Sequence, residues 1–341
     1  MQSYRYEKTR GLPDDHSGVR DAFFQQSRTS RAAVGAMPLQ HHLLANREFQ
    51  DGMQSYFGAP LNFLRPYAGQ MHAGVSIDAY GHHLATSKSL MKGDTWRIRH
   101  DGYKWELAYW ADHCGVNHDV ECLGIYEPYI QERERFGSLE VRKRQGMVPD
   151  LRTDVAGRSV LWDVKCVHQG RASYPGGVQK LKCGLVNKRA RNVNKECVWK
   201  AKKLDKDFNG HDFEIAGGPG PVLRQLQDFG TVRGLAFGPR GESSEGVDDF
   251  ITLCAEVGAE RLRAGMGAKT REQARSALKH QMYISLGVLG FRLRSRLIRK
   301  RLQLALNGGA VVESRRWGAR ARHVSGRELY EEYCAAIYKR Y

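Results

Sequence analysis

The sequence predicts an α/β fold of the α+β kind, in which a small mixed sheet is flanked by helices and extended by helical segments at both ends. Two amphipathic helices and a strand hairpin between them lead to this prediction. Apolar residues recur at helical spacing over 97–114 and 186–208, and strand-like alternation around a turn runs over 147–168. A strand-like piece at 231–237 adds another member to the sheet.

The first helix is predicted from an apolar stripe that includes Tyr103, Leu107 and Cys114, with Gly115 placed to end it as a C-terminal cap. After this helix we expect three strands, at 120–126, 147–153 and 159–168. The last two are joined by turn-forming residues and should pair as antiparallel neighbours.

The helix over 186–208 has the strongest periodicity in the chain. Its apolar residues fall within a stripe about 80° wide at a helical rotation of 100° per residue. They are Val186, Ala190, Val193, Cys197, Ala201, Leu204 and Phe208. The other faces are basic and could contact phosphates or simply be solvated. The candidates for nucleic-acid binding are Lys188, Arg189, Arg191 and Lys195.

The remaining segments flank this core. Residues 1 to about 40 are polar and aperiodic, so we expect a loosely ordered arm, followed by short helices and Gly-rich loops. The pattern after residue 246 is helical and increasingly basic. Its candidate nucleic-acid contacts are Arg292, Arg294, Arg296 and Arg299. The chain thus divides into an N-terminal region (1–95), a core (96–240) and a basic C-terminal region (241–341).

Charge and composition limit the class of binding partner. The chain has 54 Lys and Arg against 37 Asp and Glu, a net charge of +17, which favours a polyanion such as nucleic acid over a membrane surface. No apolar run is long enough to cross a bilayer, and the N-terminal residues do not form a signal peptide. The seven cysteines, without a CxxC pair, suit a reducing compartment. We therefore expect an intracellular protein, nuclear or cytoplasmic, and the sequence leaves its oligomeric state open.

The residues with the clearest chemistry lie on the hairpin. Side chains alternate along a strand, so Asp163 and Lys165 share one face with Leu161, while Trp162 and its even-numbered neighbours line the other. Asp150, on the preceding strand, can converge on Asp163 across the hairpin. Two carboxylates facing one point suit Mg²⁺ or Mn²⁺. Lys165 would then orient or deprotonate a water and offset phosphate charge.

These residues carry a resemblance to a known family. Pro149-Asp150 followed by Asp163-Val164-Lys165 resembles the signature of the PD-(D/E)xK nucleases, whose core is restriction-endonuclease-like. The resemblance implies a Mg²⁺-dependent endonuclease, acting on DNA rather than RNA, with Asp150, Asp163 and Lys165 as catalytic residues. The family also tends to use an acid from the first helix or strand, for which Glu106 and Glu121 are the candidates. The alternative is a nucleic-acid-binding module that keeps the nuclease fold without turnover.

A second resemblance covers most of residues 35–240. This stretch is similar to the nuclease-like segment that follows the reverse transcriptase in some non-LTR retrotransposons and related protist proteins, which implies a mobile-element origin. A Cys/His cluster usually precedes the helix in that group. Here Asp78, Gly81 and His83 match. The positions where thiolates are expected hold Met71, Ala73 and Ser87, so we place no zinc there.

Overall fold

A computed structural model describes residues 27–35, 44–91, 94–122, 125–129, 148–167, 184–209 and 218–307. The α-helices in these ranges are α1 (Arg28–Val34), α2 (Asn46–Phe57), α3 (His82–Thr86), α4 (Arg97–Cys114), α5 (Gly184–Asn209), α6 (Pro221–Asp228), α7 (Glu245–Leu262) and α8 (Arg271–Leu306). Short 3₁₀ helices span Asn62–Tyr67, Ser89–Met91, Asp94–Trp96 and Glu127–Tyr129. The strands are β1 (Met71–His72), β2 (Val75–Ser76), β3 (Asn117–Val120), β4 (Leu151–Val155), β5 (Arg158–Cys166) and β6 (Arg233–Phe237).

The larger sheet is mixed, as the sequence predicts. Its order is β3-β4-β5-β6, with β4 antiparallel to both neighbours and β5 parallel to β6. The β4–β5 hairpin turns through Ala156 and Gly157, which both have positive φ angles of 49° and 75°. Such angles define the two-residue turn that matches the twist of paired strands.

Helices cover both faces of this sheet, and the alternation along β5 assigns its side chains to them as expected. Trp162 and Val164 are buried in the core formed with α4, α7 and α8. Leu161 points to the opposite face and packs with α5 and α6. Asp163 and Lys165, which alternate with the first pair, therefore lie on the α5 side.

Helix α4 has the bounds that the sequence predicts. It ends at Gly115, whose φ of 75° is the left-handed conformation of a C-terminal cap. Near its start, the buried Arg99 donates hydrogen bonds to the carbonyl oxygens of Val167 at 2.8 Å and Gly238 at 2.5 Å. Arg99 thereby ties α4 to the chain just beyond β5 and β6, which fixes the helix against the end of the strand that carries Lys165.

Helix α5 also matches its predicted stripe, since Val186, Val193 and Ala201 are fully buried. It lies very close to β6: a Cβ atom at Gly234 would be 2.5 Å from the carbonyl oxygen of Ala190. Only glycine permits this approach, which brings α5 down onto the β5 face that carries Asp163.

The C-terminal helices are part of the same core. The central α8 contacts α1, α2, α4 and α7. Leu286 and Leu293 of α8 share a hydrophobic cluster with Tyr103 of α4. Among the helices in the described part of the chain, none combines the length and apolar composition needed to cross a membrane.

Two local predictions were wrong. The strand expected at 120–126 lies earlier, as β3, because Glu121 has a φ of 50° and turns the chain out of the extended conformation. The arm expected to be loosely ordered contains α1, whose capping box is formed by Ser27 and Ser30. The predictions for residues 1–26, 36–43 and 308–341 lie outside the described residues.

The stretch matching the Cys/His cluster forms the β1–β2 hairpin and α3. The carboxylate of Asp78 accepts hydrogen bonds from the backbone N–H groups of Tyr80, His82 and His83 at 2.7–3.0 Å. Nδ1 of His72 lies 3.0 Å from Nε2 of His83. The retained Asp78 thus organises the start of α3 by hydrogen bonding.

Candidate active site

Asp150 occupies the point where the β4–β5 ladder ends. The last pair in the ladder is Leu151 with Trp162, and Asp150 stands one residue beyond it. Its Oδ2 accepts a hydrogen bond from the Val164 N–H at 2.7 Å. On its other side, the Asp150 carbonyl still accepts from the Glu121 N–H at 3.0 Å. A carboxylate therefore takes the place that a β4 carbonyl would fill, at the opening between two strands.

Asp163 and Lys165 meet Asp150 at this opening. The two carboxyl groups are close enough that each affects the pKa of the other. Nζ of Lys165 lies 2.5 Å from Oδ2 of Asp163, and the two side chains are 21% and 14% exposed. The structure thus brings together the three residues that were predicted from the sequence, at a place that solvent can reach.

The two carboxyl groups titrate in opposite directions. Burial and the negative charge of Asp150 raise the pKa of Asp163, although the nearby Lys165 opposes the shift. Burial would also raise the pKa of Asp150, but the hydrogen bond and charge of His100 outweigh it and lower the pKa of Asp150 below its usual range. Asp150 is the ionised member of the pair, and Asp163 is the member that accepts a proton more readily.

His100 was not among the predicted site residues. Its Nε2 lies 3.3 Å from Oδ2 of Asp150, and its Nδ1 lies 2.9 Å from Oδ1 of Asp101. Burial disfavours the charged imidazole, but hydrogen bonds to Asp101 and Asp150 prevail and raise the pKa of His100 to about 9. His100 is therefore an imidazolium that fixes the position and charge of Asp150.

Lys104, one helical turn after His100, supplies a second buried cation that the sequence reasoning missed. Its Nζ pairs with Glu121 and lies 3.5 Å from Asp101. Burial opposes the ammonium charge, but Asp101 and Glu121 raise the pKa of Lys104. The spacing of His100 and Lys104 on a helix predicted to cover the sheet was the available signal, because residues four apart share one face.

The two candidates for an additional acid lie in different places. Glu121 is next to Asp150 through a backbone hydrogen bond, and its carboxylate is bound to Lys104. Glu106 does not join the site, and that prediction is corrected: its carboxylate, which is half-buried, accepts from Trp110 at 3.1 Å and from Ser285 of α8. Burial raises the pKa of Glu106 in this setting.

Helix α5 forms part of the lining of a recess at the candidate active site. A recess of about 20 Å³, large enough for one water or ion, opens beside Asp163. It is lined by Tyr126, Val148, Pro149, Asp163, Cys197, Lys200 and Val232. Among the predicted phosphate contacts on α5, Lys188, Arg191 and Lys195 are exposed. Arg189 is paired with Glu196 through two hydrogen bonds. Its positive charge opposes the rise in the pKa of Lys165.

The arginines predicted as contacts on α8 all have partners in the structure. The prediction is corrected for Arg292 and Arg294, which are buried, while the Arg296 side chain is paired but still 53% exposed. Arg292 and Arg294 are buried, at 8% and 7% exposure. Arg294 donates to Ser55 Oγ of α2 at 2.8 Å. The remaining pairs join α8 to carboxylates of α2: Arg292 and Arg296 to Glu48, and Arg299 to Asp51. The basic run attaches α2 to the core, because α2 supplies acids at matching positions.

The two aspartates fit a divalent cation by their chemistry. Two adjacent carboxylates that would otherwise share a proton offer hard oxygen ligands, and a cation can replace that proton. Within the described residues there is no group of three or more His, Cys, Asp or Glu side chains that could hold a metal. Waters and phosphate oxygens would have to complete the coordination, as they commonly do for Mg²⁺.

Comparison with known proteins adds no assignment: no family model matches this chain, and no curated protein is significantly similar to it. The PD-(D/E)xK resemblance therefore stays a prediction.

Proposed function

We propose that the protein is a metal-dependent nuclease of the PD-(D/E)xK type that hydrolyses phosphodiester bonds, with DNA as the preferred substrate. The observation that carries this proposal is the convergence of Asp150, Asp163 and Lys165 at the end of the β4–β5 ladder. An ordinary structural ion pair does not need two carboxyl groups in contact. Burial and mutual repulsion make such a pair costly. His100 and Lys165 each neutralise one member, and a divalent cation would bind both carboxylates at once.

Each residue has a defined part. Asp150 and Asp163 would hold Mg²⁺ or Mn²⁺, and His100 would keep Asp150 ionised and oriented. When bound, the cation supplies an activated water and neutralises charge on the phosphate. Because the pKa of Lys165 is raised by Asp163, against the effect of burial, its ammonium group remains charged. Lys165 is therefore suited to orient the water and offset phosphate charge, and it is a poor proton acceptor.

The test is cleavage of supercoiled plasmid in Mg²⁺ or Mn²⁺, with and without EDTA. Asp163→Asn should lower the rate by more than about 100-fold, beyond the usual cost of losing an outer-sphere partner, while plasmid binding survives. Asp154→Asn is the matched control, since Asp154 lies in the same hairpin but is bound to Ser159 and Arg152. It should cleave like the unaltered protein. Cleavage that persists in Asp163→Asn, or in EDTA, would contradict the proposal.

A second candidate function is nucleic-acid binding without turnover. It is favoured by the placement of the acids, because Glu106 is bound to Trp110 and Ser285, and Glu121 is bound to Lys104. Neither carboxylate is left to join the aspartate pair. Salt-sensitive retardation of DNA without strand breaks in either metal would select this function over the nuclease.

The partner and setting follow from the same reasoning. We propose nucleic acid as the partner because of the net charge of +17 and the exposed cations of α5. A nuclear or cytoplasmic location is part of this proposal through the composition and the cysteine usage, and an origin in a mobile element through the sequence resemblance.

A further inference from the structure

Trp199 is an exposed aromatic residue on the basic helix α5. Its side chain is 61% exposed, although the surrounding helix is firmly anchored through its buried stripe. An indole ring that remains in solvent contributes little hydrophobic stabilisation, so Trp199 is not part of the core of this fold. It is available to a ligand as a rigid flat surface.

Cations surround this ring. Residues three or four apart on a helix are neighbours, and these positions around Trp199 include Lys195, Lys202 and Lys203. Nζ of Lys203 lies 5.4 Å from the centre of the indole ring. The acid at a neighbouring position, Glu196, is bound to Arg189 and so is already neutralised. The ring therefore sits within a positive surface that complements phosphate.

This surface adjoins the candidate active site. Lys200 lines the recess beside Asp163, and Trp199 directly precedes it. Successive residues of a helix differ by 100°, so the indole lies about a quarter of a turn around α5 from the recess. Cys197, which also lines the recess, lies about 200° from Trp199, so a strand bound at Asp163 would have to continue around α5 to its solvent face to reach the indole.

We propose that Trp199 is a stacking platform for an unpaired base of single-stranded nucleic acid, whose phosphates contact the neighbouring lysines. Bases expose their faces only when they are unpaired, whereas those of a duplex are covered by their neighbours. Aromatic side chains among cations are the usual means of binding single strands without sequence preference. This inference rests on the proposed function only for the strand's route to Asp163, and the binding itself needs no cleavage.

The experiment measures binding by fluorescence anisotropy in EDTA, where no metal-dependent cleavage occurs. Two labelled probes of equal charge are compared: oligo-dT of about 20 nucleotides and an abasic strand of the same length. Trp199→Ala should weaken oligo-dT binding about tenfold and leave the abasic strand unaffected. Trp199→Tyr should restore most of the loss. Lys203→Gln should weaken both probes, because it removes a phosphate contact.

Phe49→Ala is the matched control, because Phe49 is 55% exposed on α2, away from the basic surface. It should change neither affinity, and thermal melting checks that each variant is folded. Equal losses on both probes after Trp199→Ala, or no loss, would overturn the inference. If plasmid cleavage fails while the base-dependent loss is found, the proposed nuclease falls and the stacking surface stands.

Discussion

Asp150 and Asp163 lie in different surroundings although they face each other. Asp150 is enclosed by the Val164 N–H and by the imidazolium of His100. Asp163 borders the recess and contacts the ammonium group of Lys165. The first residue is built as a fixed anion, and the second can exchange its partner for a cation or a proton. A bound metal would use this difference, because one ligand is preorganised and the other adapts.

The carboxyl group of Glu106 should make the stability of the protein depend on pH. Its carboxylate accepts hydrogen bonds from Trp110 and Ser285 through one oxygen, which the amide oxygen of glutamine can also provide. Burial raises the pKa of Glu106, so the folded state keeps a proton at pH values where the unfolded chain has lost it. The free energy of unfolding of the unaltered protein therefore falls as pH rises through this window.

Glu106→Gln removes that dependence. We expect the variant to be as stable as the unaltered protein at low pH and more stable, by up to about 1 kcal/mol, near neutral pH. Urea unfolding across pH measures this. Plasmid cleavage should be unchanged, and a large loss of cleavage in a folded Glu106→Gln protein would place Glu106 in the site after all.

At the scale of elements, periodic patterns predicted most of the fold. Helices α4 and α5 and the hairpin strands were found from one-dimensional spacing, because each buries one continuous face. The end of β3 was missed, because a positive φ at Glu121 has no signal in a non-glycine residue. The contact of His100 with Asp150 was missed because it joins residues distant in sequence. Asp163 and Lys165 were identifiable because they interrupt an apolar strand, and Asp150 because a hairpin brings the preceding segment alongside them.

The backbone conformation of the β4–β5 turn can be tested by substituting its two central residues. Ala156 and Gly157 both have positive φ angles, a conformation that alanine disfavours and asparagine tolerates. Ala156→Asn should raise the free energy of unfolding by about 0.5–1 kcal/mol, and Gly157→Ala should lower it by about 1 kcal/mol. Thermal unfolding measures both. Opposite signs for the two variants are required, and a destabilising Ala156→Asn would contradict this turn geometry.

Across the whole molecule, the positive charge serves two purposes. In the C-terminal half of α8, Arg292 and Arg294 lie in the interior and Arg296 and Arg299 pair with α2, whereas several cations of α5 face solvent. Sequence alone could not separate them, because both runs are basic and helical. What separates them is the presence of Glu48 and Asp51 on a distant helix that packs against α8.

This division predicts a contrast between two variants. Arg294→Met should lower the free energy of unfolding by about 2 kcal/mol, since it removes buried hydrogen bonds to Ser55 and Tyr80. It should leave the salt dependence of DNA binding unchanged. Lys195→Gln should have the reverse effect, with unaltered stability and a salt slope shallower by about one. Denaturation and binding titrations at several salt concentrations measure both, and a shallower slope for Arg294→Met would contradict the assignment.

The most direct measurement for the central claim is a crystal structure with Mn²⁺ and its anomalous difference map. If the two aspartates bind the metal, one strong peak should lie within about 2.1–2.3 Å of carboxylate oxygens from both Asp150 and Asp163, with Lys165 displaced from direct contact with Asp163. The same soak of an Asp163→Asn crystal should lose the peak. A map in which Mn²⁺ binds elsewhere, while the two aspartates keep only each other, His100 and Lys165, would contradict it.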